Sequence, residues 1–138
     1  MKRVLFLCTH NSARSQMAEG LLRQLADERF EVMSAGTEPG QLNPLAVRVM
    51  AETGIDISGQ QAKGVEVYTA ATVDYLITVC DEAKESCPIL PGVKDQLHWS
   101  LPDPSAISGA EEERLEVFRS VRDRLSTLIG QFIAGVER

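Results

Sequence analysis

The chain has 138 residues, 43% of them hydrophobic and 25% charged, with 14 lysines and arginines against 20 aspartates and glutamates and a net charge of −6. That size fits one domain over residues 1–138 with a continuous buried core, and the acidic balance argues against a nucleic-acid partner, which needs a basic face. No window reaches the roughly 18 apolar residues of a membrane span, and Lys2 and Arg3 lead straight into a short apolar run with no signal-peptide pattern, so a cytoplasmic protein with no membrane partner is expected.

"RVLFL" (3–7) is a dense apolar run of the kind a parallel strand shows when both faces are covered. From about Ala13 to Asp27, Met17, Ala18, Leu21, Leu22 and Leu25 recur at helical spacing. "FEVMSAG" (30–36) reads as a second strand closed by a glycine. Asn43 suits a helix N-cap, Pro44 the first helical position and Gly54 the exit. "VDYLITVC" (73–80) is a third strand and "DQLHWS" (95–100) a fourth, followed by the proline-rich turn "LPDPS". Ser108 and Glu111 have capping-box spacing before a helix from about Ala110 to Ala134. Along it, Leu115, Phe118, Val121, Leu125, Leu128, Ile129 and Phe132 form an apolar stripe. His98 and Trp99 are assigned to packing of the fourth strand. Alternation of strand and helix predicts an α/β fold, a three-layer sandwich with a four-stranded parallel sheet flanked by helices. Ligands in such folds bind at the carboxyl ends of strands, where Cys8, Cys80 and the Asp103 turn all fall.

Three cysteines, Cys8, Cys80 and Cys87, in a reducing compartment suggest catalytic, redox or metal chemistry rather than structural disulfides. "CTHNSARS" (8–15) places Cys8 six residues before Arg14 at a strand-to-helix junction. Backbone N–H groups of Thr9, His10, Asn11, Ser12, Ala13, Arg14 and Ser15, together with the helix start, can surround one oxyanion. Arg14 can fork two of its oxygens, and Asn11 tolerates the left-handed backbone that such a turn requires. The positive field is expected to lower the Cys8 pKa, with Ser15 donating to the thiolate. The plain alternative is a buried core cysteine followed by a surface arginine; the position at a strand–helix junction favours the anion loop.

The stretch "VLFLCTHNSARSQMAEGLL" resembles the phosphate loop of the low-molecular-weight protein tyrosine phosphatase fold. Within that fold, "NSARSQMAEG" is most similar to the thioredoxin-coupled arsenate reductases. The likeness continues through "SAGTEP", "GIDISGQ", "ITVCDEAKESCP", "HWSLPDP" and "LEVFRSVRDRL", nearly the whole chain. His10 stands where glycine is frequent and Ala13 where cysteine is frequent.

Cys80 and Cys87 separate two chemistries. Phosphoryl transfer needs one nucleophile, an acid and water, whereas thiol reduction of an oxyanion consumes two electrons and so at least two sulfurs. The resemblance implies that Cys8 attacks arsenate, that Cys80 then attacks Cys8 to expel arsenite, and that Cys87 resolves the Cys8–Cys80 disulfide into Cys80–Cys87, which thioredoxin reduces. A regular helix over 80–87 would hold the two Cα atoms roughly 10 Å apart, beyond the about 4.4–6.8 Å of a disulfide. The segment is therefore expected to rearrange during turnover. Cys80 as core with Cys87 in a loop, and a zinc site of Cys80, Cys87 and His98, are the other options; the latter has only three ligands.

Asp103, between two prolines, is by the same resemblance a general acid for the departing oxygen. Some members of the family bind potassium through groups matching Asn11, Glu19 and Ser34. The resemblance implies a further acidic ligand near position 63, where this chain has Lys63; its ammonium could replace the ion, or it is a plain surface lysine. The sequence thus predicts a monomeric arsenate reductase with no organic cofactor, arsenate as substrate, phosphate or sulfate as alternative occupants of the loop, and thioredoxin or another thiol as reductant. A tyrosine or small-molecule phosphatase is the second reading, and a non-catalytic oxyanion-binding module the third.

Overall fold

A computed structural model of the chain describes residues 2–68, 73–79 and 93–136. Cys80 and Cys87 lie outside the described residues, as does the segment between them. Four parallel strands form one sheet: β1 (Lys2–Cys8), β2 (Phe30–Gly36), β3 (Tyr75–Thr78) and β4 (Asp95–His98), in the order β2-β1-β3-β4. Three α-helices accompany them among the described residues: α1 (Arg14–Ala26), α2 (Pro44–Ala51) and α3 (Glu111–Val136). The expected α/β architecture with a four-stranded parallel sheet is the one observed.

β1 is central. It pairs with β2 from Lys2↔Phe30 to Cys8↔Gly36 and with β3 from Val4↔Tyr75 to Leu7↔Thr78. Val4, Leu5, Phe6 and Leu7 are all fully buried. Successive strand residues point to opposite faces, so both faces of β1 are covered, which explains the unbroken apolar run. Each such side chain contributes about 1.5–3 kcal/mol when buried. α1 and α3 pack against each other, and α2 packs on α3. The α3 stripe is buried at Leu115, Phe118, Val121, Leu125, Ile129 and Phe132, with Leu128 partly covered. Phe132 meets the Tyr75 ring edge-on at 5.2 Å and the Phe30 ring at 5.8 Å, which ties α3 to the sheet. Trp99 packs as expected, its ring 6.0 Å from that of Phe6.

The helix signals held at α2 and failed at α3. Asn43 Oδ1 accepts from the Leu45 N–H at 2.8 Å, Pro44 occupies the first turn, and Gly54 adopts φ +81° beyond the exit. Before α3, Gly109 takes φ +129° and the Ala110 carbonyl accepts the Arg114 N–H, so Ala110 holds the cap position. Ser108 is two residues too early for a capping box, and the Glu111 carboxylate accepts from Arg48 instead, at 3.0 Å. No helix among the described residues is long and apolar enough to cross a membrane.

Candidate active site

β1 ends at Cys8 and α1 begins at Arg14, so residues 9–13 must turn the chain within a few ångströms. A strap of the following segment holds that turn. Carbonyls of Cys8, Thr9, His10 and Ser12 accept from the N–H groups of Thr37, Glu38, Gly40 and Asn43 at 2.8–3.1 Å. The Asn11 carbonyl accepts from Gln16 Nε2 at 2.9 Å, and that of Ala13 from Met17 N–H, the first bond of α1. Every carbonyl from Cys8 to Ala13 is thus engaged on the outside of the turn, which leaves its amide side for an anion. Asn11, buried, has φ 51°, the one positive value outside glycine among the described residues. Gly36 explains its own identity: a Cβ there would lie 2.6 Å from the Thr9 carbonyl oxygen and 2.9 Å from Asn11 N. The loop rests directly on the end of β2.

Three donors converge on the Cys8 sulfur: the Ser15 hydroxyl at 2.8 Å, the Asn11 N–H at 3.2 Å and the Ser15 backbone N–H. The Asn11 side chain sets the direction of the first. Its Oδ1 accepts from the backbone N–H of Lys63 (2.9 Å), an obligate donor, so its Nδ2 faces Ser15 Oγ (2.8 Å) and Ser34 Oγ (3.0 Å). Ser15 therefore accepts from Asn11 and spends its own hydrogen on Cys8. These donors and Arg14 all favour a thiolate, yet burial outweighs them: Cys8 is 3% exposed and its thiol pKa is raised. The expectation of a lowered pKa is corrected, because a field strong enough to hold an anion is paired with a sulfur that water barely reaches.

Arg14 Nη1 donates to the Leu101 carbonyl at 3.0 Å, and Nη2 lies 3.8 Å from Asp103 Oδ2. Asp103 Oδ1 accepts from the backbone N–H and the hydroxyl of Ser105, at 3.0 and 2.6 Å, which aims the other oxygen at Arg14. Cys8, His10, Ser12, Ala13, Arg14, Asp103 and Ser105 line one small cleft. The chemistry available there is a sulfur nucleophile, a guanidinium for oxyanion charge and a carboxyl group for a proton. His10 is exposed and its Nδ1–H donates to the Glu38 carbonyl at 2.9 Å, so the imidazole ties the loop to its strap.

The residues expected around a cation also meet. Glu19, buried, accepts from the Ser34 hydroxyl through Oε1 and pairs with Arg23 through Oε2. Lys63 Nζ lies 4.0 Å from Glu19 Oε1 and donates to the Gln61 carbonyl at 2.6 Å. Burial lowers the Lys63 pKa; Glu19 opposes that and Arg23 adds to it. No group of three or more His, Cys, Asp or Glu among the described residues could hold a metal ion. His98 is engaged by Thr78 Oγ1 at 2.7 Å. Sequence reasoning missed the clamp formed by Gln16, Gln60 and the Gln61 carbonyl, the Leu101 carbonyl and Ser105. Their partners are remote in the chain, and only the Asp–Pro–Ser spelling beside Asp103 carried a local signal.

Residues 3–138 match the model of the family described as low molecular weight phosphotyrosine protein phosphatase. An arsenate reductase of Shouchella clausii is 42% identical over 95% of this chain and 94% of its own length. A solved arsenate reductase in its oxidized state is 36% identical, covers 99% of both chains and superposes with a TM-score of 0.85. Another, in a phosphate-binding state, is 36% identical over 98% of both chains with a TM-score of 0.82.

Proposed function

This chain belongs to the low molecular weight phosphotyrosine protein phosphatase family, and we propose that within it the protein is an arsenate reductase working through Cys8, Cys80 and Cys87. The observation that carries the reading is one cleft holding Cys8, Arg14 and Asp103 in a chain 42% identical to a named arsenate reductase. The two later cysteines favour reduction over hydrolysis, since hydrolysis has no use for them.

Arsenate enters the amide side of the loop and Arg14 clamps its charge. The Cys8 thiolate attacks arsenic, and Asp103 protonates the oxygen that leaves as water. The Cys80 thiolate then attacks the Cys8 sulfur; the sulfur–arsenic bonding pair stays on arsenic, which departs as arsenite, and a Cys8–Cys80 disulfide forms. Cys87 attacks Cys80, releasing Cys8 as thiolate and forming Cys80–Cys87. A thioredoxin dithiol supplies the two electrons that reset the cycle. The described chain runs to Val79, whose N–H bonds the Leu7 carbonyl beside Cys8 at 2.9 Å, and Cys80 is the next residue in sequence. Lys63 takes the place of a bound cation against Glu19, so Asn11 and Ser34 stay ordered without potassium.

The test is arsenate-dependent oxidation of thioredoxin, run beside hydrolysis of a phosphomonoester. The wild type should oxidise thioredoxin only with arsenate, and Cys80→Ser or Cys87→Ser should abolish that while leaving any hydrolysis intact. Full turnover in Cys87→Ser would transfer the resolving role to a small thiol such as glutathione. Hydrolysis without arsenate reduction in the wild type would make the protein a phosphatase. Replacing sodium with potassium should leave turnover unchanged; strong activation would remove Lys63 from its role.

A further inference from the structure

Gln16 neither touches the Cys8 sulfur nor lines its cleft, yet its side chain is fully buried in the first turn of α1. Its Nε2 has three oxygen neighbours: the Asn11 carbonyl at 2.9 Å, the Gln61 carbonyl at 2.9 Å and Asn11 Oδ1 at 3.1 Å. Three acceptors fix which end of this amide is nitrogen. Its Oε1 accepts from Gln60 Nε2 at 2.7 Å, and Gln60 Nε2 also reaches the Gln16 carbonyl at 3.1 Å. Gln60 is half-buried at the edge of an outer cleft, where Arg23 Nη1 stands 3.5 Å from its Oε1.

We propose that Gln16 is a positioning residue for the Cys8 thiol, holding Asn11 in the one backbone and side-chain conformation that aims its own N–H and the Ser15 hydroxyl at the sulfur. The proposal rests on the reading of Cys8 as nucleophile. Two of the three donors to the sulfur pass through Asn11; the third is the Ser15 backbone N–H. The Asn11 N–H is one of the two, and its Nδ2 occupies the Ser15 oxygen so that the Ser15 hydrogen turns to Cys8. Asn11 sits at φ 51°, where a non-glycine residue is seldom stable without outside support. Gln16 grips it at the carbonyl and at Oδ1 together, which constrains ψ and the side-chain torsions on either side of that Cα. The grip on the Gln61 carbonyl anchors the arrangement to a second segment, and Gln60 keeps Gln16 from turning over.

The test is the pH dependence of iodoacetamide alkylation, followed on the peptide that contains Cys8 in the full-length reduced protein. Arg14, Asp103 and His10 face the same cleft and are common to all variants. Gln16→Met keeps the length and apolar bulk of the side chain and removes its hydrogen bonds. Its alkylation midpoint should rise by about one pH unit, with an alkylation rate at pH 7 about tenfold lower. Gln60→Ala should shift the midpoint the same way by less. Val49→Ala, in the core of α2, supplies a comparable loss of thermal stability and should leave the midpoint in place. A wild-type midpoint in folded Gln16→Met overturns the proposal; should that variant fail to fold, a wild-type midpoint in Gln60→Ala does so. Alkylation needs no arsenate, so a wild type inactive on arsenate would sink the functional reading while this result stayed readable.

Discussion

Around Asn11, a buried cluster of amides and hydroxyls from Ser15, Gln16, Ser34 and Gln60 is joined by a single carboxylate, Glu19. Between α2 and α3, a cluster of full charges at the surface joins exposed Glu52 to the half-buried Arg119 and Arg122, with Glu112, Glu116 and Asp123 attached. The second has more ion pairs, but its carboxylates keep their water when a pair breaks. In the first, a lost partner leaves a polar atom stranded where no water replaces it. The network of amides and hydroxyls fixes geometry, whereas the charged one fastens two helices near the surface.

The largest effect is expected from Asn11→Ala. It strands the Lys63 N–H and removes Nδ2 from Ser15 and Ser34, so urea unfolding should show a loss of about 3 kcal/mol and arsenate turnover should fall at least about a hundredfold. Ser15→Ala comes next. Without that hydroxyl the Cys8 thiol, already raised by burial, rises further, and alkylation and turnover at pH 7 should each drop about tenfold. Equal rates in wild type and variant would show that Ser15 merely fills space.

Acid titration probes the charged cluster. Hydrogen bonds from Arg119, then Arg122, hold the Glu52 carboxyl at about 2. Its folded pKa lies below the unfolded value of about 4.3, so its stabilising effect is complete above roughly pH 5 and is lost as the pH falls towards 2. Thermal unfolding of Glu52→Gln should therefore depend less on pH in that window than the wild type does. The smallest effect belongs to Arg119→Ala at pH 7, a Tm decrease of about 2 °C or less that shrinks further in 1 M salt. A large, salt-independent loss there would erase the contrast between the two clusters.

Elements whose limits are written locally emerged from the sequence with little error. β2 runs from Phe30 to Gly36 as expected because an apolar run meets a glycine, and α2 starts where Asn43 and Pro44 say it should. Ser108 misled because the backbone of Gly109, not side-chain chemistry, decides where α3 begins. At the site, Cys8, Arg14 and Asp103 were identifiable as types at telling positions, and they share a cleft. Burial of the Cys8 sulfur was not, since solvent access depends on everything packed around the loop. Gln16 was invisible for a related reason: its side-chain partners lie 5, 44 and 45 residues away.

The strap that engages each outward carbonyl of residues 8–13 also bears on selectivity. A ring of donors built before any guest arrives loses little entropy on filling and yields little to the guest's size. Such a cradle sorts by charge and tetrahedral shape, features that phosphate and arsenate share. The two should therefore compete for it as near equals, and the choice between them falls to whether the central atom can keep the bonding pair when a second sulfur attacks the first, as arsenic can and phosphorus does not.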